Sequence, residues 1–441
     1  SYGDIGNTGL LSGNSVSLTA QNGSIVNSDT LNTYLVQGGI QQQLGSIGTI
    51  KATGSANLQA GNNITFNGGV LTAGGDLSIL AGNNLTLGNT TLSQAAAITG
   101  RKLSQSGSAV QNYGTSITVG GNATLAALSG DLKTAGTSLT SNGSMILSSA
   151  KTLDLGSVAN SQDVSVSGSK KGFLTHSNFS NSQSSSTDIG TTLAAGKDLT
   201  AVSGSDMHIA GLVGGGGNVT LLSGGAFTES ALHSTASESA SHHVAGFHMS
   251  TQGASGTVGY GSRTDAQSVQ SSTYTPSVVA STGGSLNIGA NGPVKIDGSI
   301  VAAAKDLGIS GSSVAFTTEQ NSSTQSVMHK DKSIGVTGGI SPDSMVGQAI
   351  NGALGAKKSG TGVQSALSGL QTGLGEGLSV VGGALTNNII GAQVSVGFSS
   401  NKSKSNETQT TVQGSTASAG GTLSIVARGG RSEDRRVGEW V

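Results

Sequence analysis

One short phrase recurs along this chain and limits what it can fold into. A glycine is followed by Asn or Asp, then by two apolar residues separated by one small polar residue. It reads Gly61-Asn62-Asn63-Ile64-Thr65-Phe66, then Gly75-Asp76-Leu77-Ser78-Ile79 and Gly82-Asn83-Asn84-Leu85-Thr86-Leu87. Further copies are Gly121-Asn122-Ala123-Thr124-Leu125, Gly217-Asn218-Val219-Thr220-Leu221 and Gly284-Ser285-Leu286-Asn287-Ile288. Leu58 to Leu77 is 19 residues, Leu199 to Val219 is 20 and Leu286 to Leu307 is 21. Each period shows two apolar segments about 8 residues apart, as from Leu77 to Leu85. The alternation within each segment gives a strand with one inward and one outward face. A strand this short cannot bury its face alone, but coils stacked at a constant period close a continuous core. A β-solenoid is therefore expected. An antiparallel sandwich would not require so constant a period.

The composition agrees. The 441 residues include 72 glycines, 3 prolines, 3% aromatic and 10% charged residues. The core must then be thin and built from small aliphatic side chains. Glycine has no every-third-residue period, which excludes collagen. The net charge of −1 gives no reason to expect nucleic acid as the partner. No cysteine is present, so disulfide scaffolds, thiolate metal sites and cysteine nucleophiles are excluded. The start at Ser1 suggests an internal piece of a longer protein.

Interruptions of the phrase divide the chain. Repeats are expected over 1–159, 191–227 and 281–316, and again from 421 to 430. Excursions from the solenoid are expected at 160–190 (Ser-rich), 228–280 (rich in Ser, His and Thr) and 317–420 (polar at both ends, apolar in the middle).

Two stretches carry a family resemblance. One is the serine-rich run from Val394 to Ser415 with the following Ala419-Gly420-Gly421-Thr422-Leu423-Ser424-Ile425. The other is Ala73-Gly74-Gly75-Asp76-Leu77-Ser78-Ile79-Leu80-Ala81-Gly82-Asn83-Asn84-Leu85-Thr86-Leu87. Both resemble the haemagglutinin repeats of filamentous-haemagglutinin-like exoproteins, a family that includes the contact-dependent growth-inhibition proteins of two-partner secretion. The resemblance covers most of 50–427 and fits 1–50 loosely. It implies an all-β, right-handed parallel β-helix, and export through an outer-membrane two-partner-secretion transporter. It also implies a secreted, cell-surface location, and a role in adhesion or toxin delivery at a target-cell receptor or outer membrane. It carries over no catalytic residue and no cofactor.

Parallel β-helices also host carbohydrate-active enzymes, so the carboxylates Asp76, Asp131, Asp198, Asp206 and Asp306 need an account. Each precedes the first apolar residue of a strand, and Asn57, Asn63, Asn84, Asn122 and Asn218 stand at the same place in sibling repeats. An amide can replace aspartate as a turn former but not as a general acid or base. The expectation is corners, not catalysis. The serial Gly-Gly-x-Gly-x-Asp motif of calcium-binding β-rolls is missing. His233, His242, His243 and His248 cluster with Glu229 and Glu238 in range, but nothing in their spacing fixes a metal geometry, and a solvated loop is expected. Asn-x-Thr triplets such as those at Asn84 and Asn218 follow from the corner pattern itself.

The stretch 359–398 has one charged residue, Glu376, and places Val363, Leu367, Leu370, Leu374 and Leu378 at helical spacing. Its many glycines oppose a stable isolated helix. It reads as a flap on the rod or as a membrane- or partner-contacting element. Residues 431–441, six of them charged, break the pattern and read as a foreign tail or a linker.

Overall fold

The computed structural model describes residues 1–252, 255–334, 337–340, 392–395 and 398–429. Among them every regular element is a strand. The chain winds a parallel β-solenoid whose coils each present three faces. In one coil these are Ile64–Asn67, Val70–Ala73 and Leu77–Ala81, after which Leu85 begins the next turn. The second and third faces each contain ten parallel strands. At about 4.8 Å per strand the stack is roughly 45 Å long.

Three faces per coil corrects the expectation of two. The second face is faint in sequence because most of its strands bury only one large side chain: Ile50, Leu71, Leu139, Leu193, Val213, Val279 and Val301. The 19-residue spacing is also corrected. Leu77 lies beside Ala56, and Leu58 beside Ile79, a step of 21. The steps from Leu199 to Val219 and from Leu286 to Leu307 are true neighbours.

Inward side chains stack in ladders. One runs Leu58, Ile79, Leu125, Leu147, Ala201, Leu221, Ile288, Ile309, none more than 1% exposed. Burying each leucine or isoleucine contributes about 1.5–3 kcal/mol. Hydroxyls line one inner corner. Thr115, Thr137 and Thr191 are buried and donate to the carbonyls of Gly88, Leu87 and Gly156 at 2.7–2.8 Å, so these backbone oxygens are satisfied inside the core.

Among the described residues five antiparallel hairpins leave the solenoid, all between the first and second faces. Their described strands are Leu31–Val36 with Gly39–Leu44, Leu85–Thr99 with Leu103–Gly114, Val158–Gly172 with Thr175–Ile189, Leu232–Gln252 with Ser255–Thr275, and Glu319–Ile334 with Phe398–Gln413. The first two lie inside 1–159, which the sequence reading assigns wholly to repeats. Their own residues alternate too weakly to stand apart from the neighbouring coils. The hairpins issue from every second coil, and the coils between turn the same corner with glycine. Gly68, Gly136 and Gly298 take left-handed φ values of 67°, 58° and 54°. These corners lie under the hairpin roots. A Cβ at Gly298 would stand 3.0 Å from Cγ of Glu319 and 3.3 Å from Cβ of Ala231, which belong to the roots of the fifth and fourth hairpins.

Two strands per hairpin and one hairpin per two coils give both stacks the same number of strands per unit length. Successive hairpins therefore pair with one another into a single antiparallel sheet. Leu103–Val110 bonds to Ser161–Gly168, Thr175–Thr187 to Ser234–Gly246, and Gly261–Ser272 to Ser322–Ser333.

Candidate interaction surface

The corner carboxylates are structural. Asp198 Oδ1 accepts the backbone N–H of Asn218 at 2.7 Å, and Asn218 Oδ1 in turn accepts that of Ser285 at 3.0 Å. Asp76 and Asp306 do the same for Asn122 and Thr422. Asp131 and Asp206 occupy a different corner, ahead of the first face, where they accept from Thr152 and Ala226, and Asn63 and Asn84 serve that corner too. Only a side-chain oxygen is needed, which is why Asp and Asn interchange. Asn57 is the exception. It lies mid-strand facing outward, and Ser55 holds the corner, its Oγ accepting the Asp76 N–H.

The histidines lie on the hairpin sheet and do not converge. His233 Nε2 is 2.8 Å from Ser272 Oγ and its ring stacks on Tyr274, centroids 4.6 Å apart. His243 Nδ1 is 2.8 Å from Thr264 Oγ1, while His242, its neighbour in the strand, faces the other way. The His248 side chain lies outside the described residues. Among the described residues no three His, Asp or Glu side chains gather as a metal site. Glu238 sits opposite Gln183 and Val269 within the sheet. Glu229 is inside the solenoid, in the inward column between Ile209 and Ile296, fully buried, with neither carboxyl oxygen hydrogen-bonded. Burial pushes its carboxyl well above the usual carboxylate range. Val363, Leu367, Leu370, Leu374, Leu378 and the tail 431–441 lie outside the described residues.

The feature that sequence reasoning missed is the continuity of the hairpins. Their register sorts side chains onto two unlike faces. One is a hydroxyl face. Ser106, Ser165, Ser182, Ser239, Ser268 and Ser326 form one row across six strands. Hydroxyl pairs Ser180–Ser241 and Ser182–Ser239 sit 2.8 Å apart. The opposite face carries Val164, Val166 and Phe179, and a polar cluster in which Asp265 accepts from Arg263 Nε at 2.7 Å and contacts His329 Nδ1. The available signal was the period-two serine run Ser180, Ser182, Ser184, Ser186, which marks a strand with one polar face. At the hairpin turns apolar side chains stand in solvent. Phe173 is 94% exposed, beside Leu174 at a left-handed φ of 67°.

Comparison with known proteins agrees with this architecture. The hemagglutinin repeat family matches residues 97–173, 172–326, 258–395 and 396–436. Among curated proteins, the chain is 33% identical over 254 residues to a 16S rRNA endonuclease CdiA of Enterobacter cloacae subsp. cloacae, covering 54% of this chain and 8% of that protein. It is 32% identical over 191 residues to a toxin CdiA of Yersinia pestis, covering 41% and 6%. It is 33% identical over 192 residues to a deoxyribonuclease CdiA of Yersinia pseudotuberculosis, covering 41% and 18%. The chain thus spans a small fraction of the length of these relatives. No solved structure matches. A three-faced solenoid built on the glycine–asparagine corner, with the family's repeat matched over most of its length, is a member of the hemagglutinin repeat family.

Proposed function

We propose that this chain is a structural and adhesive stalk segment of a secreted, cell-surface exoprotein of two-partner secretion. It would be exported through an outer-membrane transporter, and would support cell adhesion or contact-dependent toxin delivery. The observation that carries the reading is the division of labour between the two stacks. The solenoid sets length and stiffness, and the hairpin sheet projects a broad polar surface from one corner. The corner carboxylates are engaged in backbone hydrogen bonds, which favours a structural role over a catalytic one. The nuclease and toxin names belong to the relatives, of which this chain matches a small part. Two measurements test the reading: small-angle scattering of the purified chain, and its retention on bacterial cells. An elongated particle that adheres is expected. A compact particle, or no retention on any cell surface, overturns it.

A second reading, engagement of a target outer membrane, is favoured by one observation. Exposed Phe173 and Leu174 at a hairpin turn sit beside Lys170 and Lys171, a pairing suited to a membrane interface. Loss of vesicle binding on Phe173→Ser is expected under this reading. Equal binding by both proteins counts against it.

A further inference from the structure

The hairpin sheet is polarised in charge as well as in polarity. Five exposed lysines, Lys171, Lys330, Lys332, Lys402 and Lys404, share the hydroxyl face. Lys330 and Lys402 stand directly opposite each other on paired strands, with Lys332 and Lys404 one step to either side. Lys171 lies in the same row as Lys332, joined through His176, Ala245 and Ser262. At four strand spacings the two lysines are roughly 19 Å apart. The carboxylates of this face, Asp163 and Asp188, sit nearer the solenoid. Glu238, Asp265, Asp331 and Glu407 all fall on the opposite face.

Edge protection does not account for this pattern. Lysine on an exposed edge strand discourages sheet-to-sheet pairing, and that explains Lys402 and Lys404. Lys330, Lys332 and Lys171 are on interior strands. Like charges directly opposite weaken a sheet, so the Lys330–Lys402 pair calls for a counter-charge from outside. Next to the lysines, Phe247 and Tyr260 form an exposed edge-to-face pair with centroids 5.2 Å apart. Toward the solenoid the same face is hollowed into a depression lined by Ser184, Thr235, Ser237, Gln270, Ser322 and Thr324.

We propose that this face binds a linear acidic polysaccharide. The lysines would take its sulfate or carboxylate groups, the hydroxyl rows would exchange hydrogen bonds with sugar hydroxyls, and the aromatic pair would pack against a ring face. The rows step at about 4.8 Å, close to one extended sugar unit, so successive residues of the polymer meet equivalent hydroxyls. Nucleic acid fits less well, because no arginine stands among these lysines. A bilayer fits less well because the patch lies on a broad face and not at a hairpin turn. The proposal rests on reading the hairpin sheet as the recognising surface of the stalk.

The test measures binding of the full chain to dextran sulfate and polygalacturonate, with uncharged dextran, single-stranded DNA and phosphatidylglycerol vesicles alongside. Both acidic polysaccharides should bind, with affinity falling as salt rises, and dextran should not. Combining K330E, K332E, K402E and K404E should raise Kd at least tenfold, and the four Lys→Gln changes should act in the same direction. Combining K51E, K151E, K197E and K305E on the solenoid alters net charge equally and should change Kd less than twofold. Undiminished binding by the hairpin variants, equal loss in the solenoid variant, equal binding of dextran, or DNA or vesicles held as tightly would each overturn the proposal. If glycan binding fails while the chain still adheres to cells, the ligand assignment falls and the adhesive stalk stands. If no cell is bound, the stalk reading falls as well.

Discussion

The solenoid and the hairpin sheet are built from strands at the same spacing, yet different forces hold them. In the solenoid, the coils hide apolar side chains in one continuous core, and the parallel ladder follows from that burial. The hairpin sheet has serine and threonine on one face and few large apolar residues on the other, so burial alone cannot define it. Its order comes from backbone pairing and from the solenoid, which delivers a new hairpin at each second coil in register with the last. A sheet with little core of its own can be ordered when its roots are fixed.

The comparison breaks most completely if the solenoid fails. Leu199→Asp places an unpaired charge in a dry core and should destabilise by several kcal/mol. Hydrogen exchange should then rise in the adjoining coils and in the hairpins rooted there, whereas exchange confined to the sheet would refute the dependence. Gly298→Val should uncouple the two stacks. It forces a β-branched residue into a left-handed corner, at about 1–2 kcal/mol for the backbone alone, and wedges between the fourth and fifth hairpin roots. Protection should fall in 261–272 and 322–333 while the solenoid keeps its own.

Glu229 sharpens the solenoid side. Its folded pKa lies above the unfolded value, so the folded state holds the extra proton. Stability is then greatest below the ordinary carboxylate pKa and declines as pH rises toward the raised value. Glu229→Leu should abolish that decline and gain about 1–3 kcal/mol at neutral pH, read from denaturant midpoints at pH 4 and 7. A wild-type midpoint that rises over this interval would count against the assignment. The smallest effect belongs to Asp198→Asn, expected within about 0.5 kcal/mol because Asn218 already does this work one coil on. Asp198→Ala should lose about 1 kcal/mol.

The solenoid was legible because its signal is a spacing: Leu199 and Val219, and likewise Leu286 and Leu307, are stacked neighbours at the intervals counted in sequence, and all four lie in one row. The second face was not, since strands such as Ser138–Ser141 bury one leucine and otherwise serine or threonine, a composition shared with loops. Asn57 misled for a related reason. Its neighbour Ala56 is the inward residue, and alanine beside Leu58 does not announce itself as core. The interaction surface was the least legible part. Lys171 and Lys332 are 161 positions apart, and only the pairing of five successive strands brings them into one row.

Alternation of plain and hairpin-bearing coils also restricts how such a chain can change length. A hairpin can grow freely at its far end, and the paired lengths here run from 6 to 11 to 15 to 21 residues over the first four. Gaining or losing a single coil is another matter. It would set neighbouring hairpins one coil apart or three, crowding four strands into the height of two or leaving a gap no strand fills. Duplication and recombination should therefore be accepted in pairs of coils, making the heritable module of this protein the double turn with its hairpin.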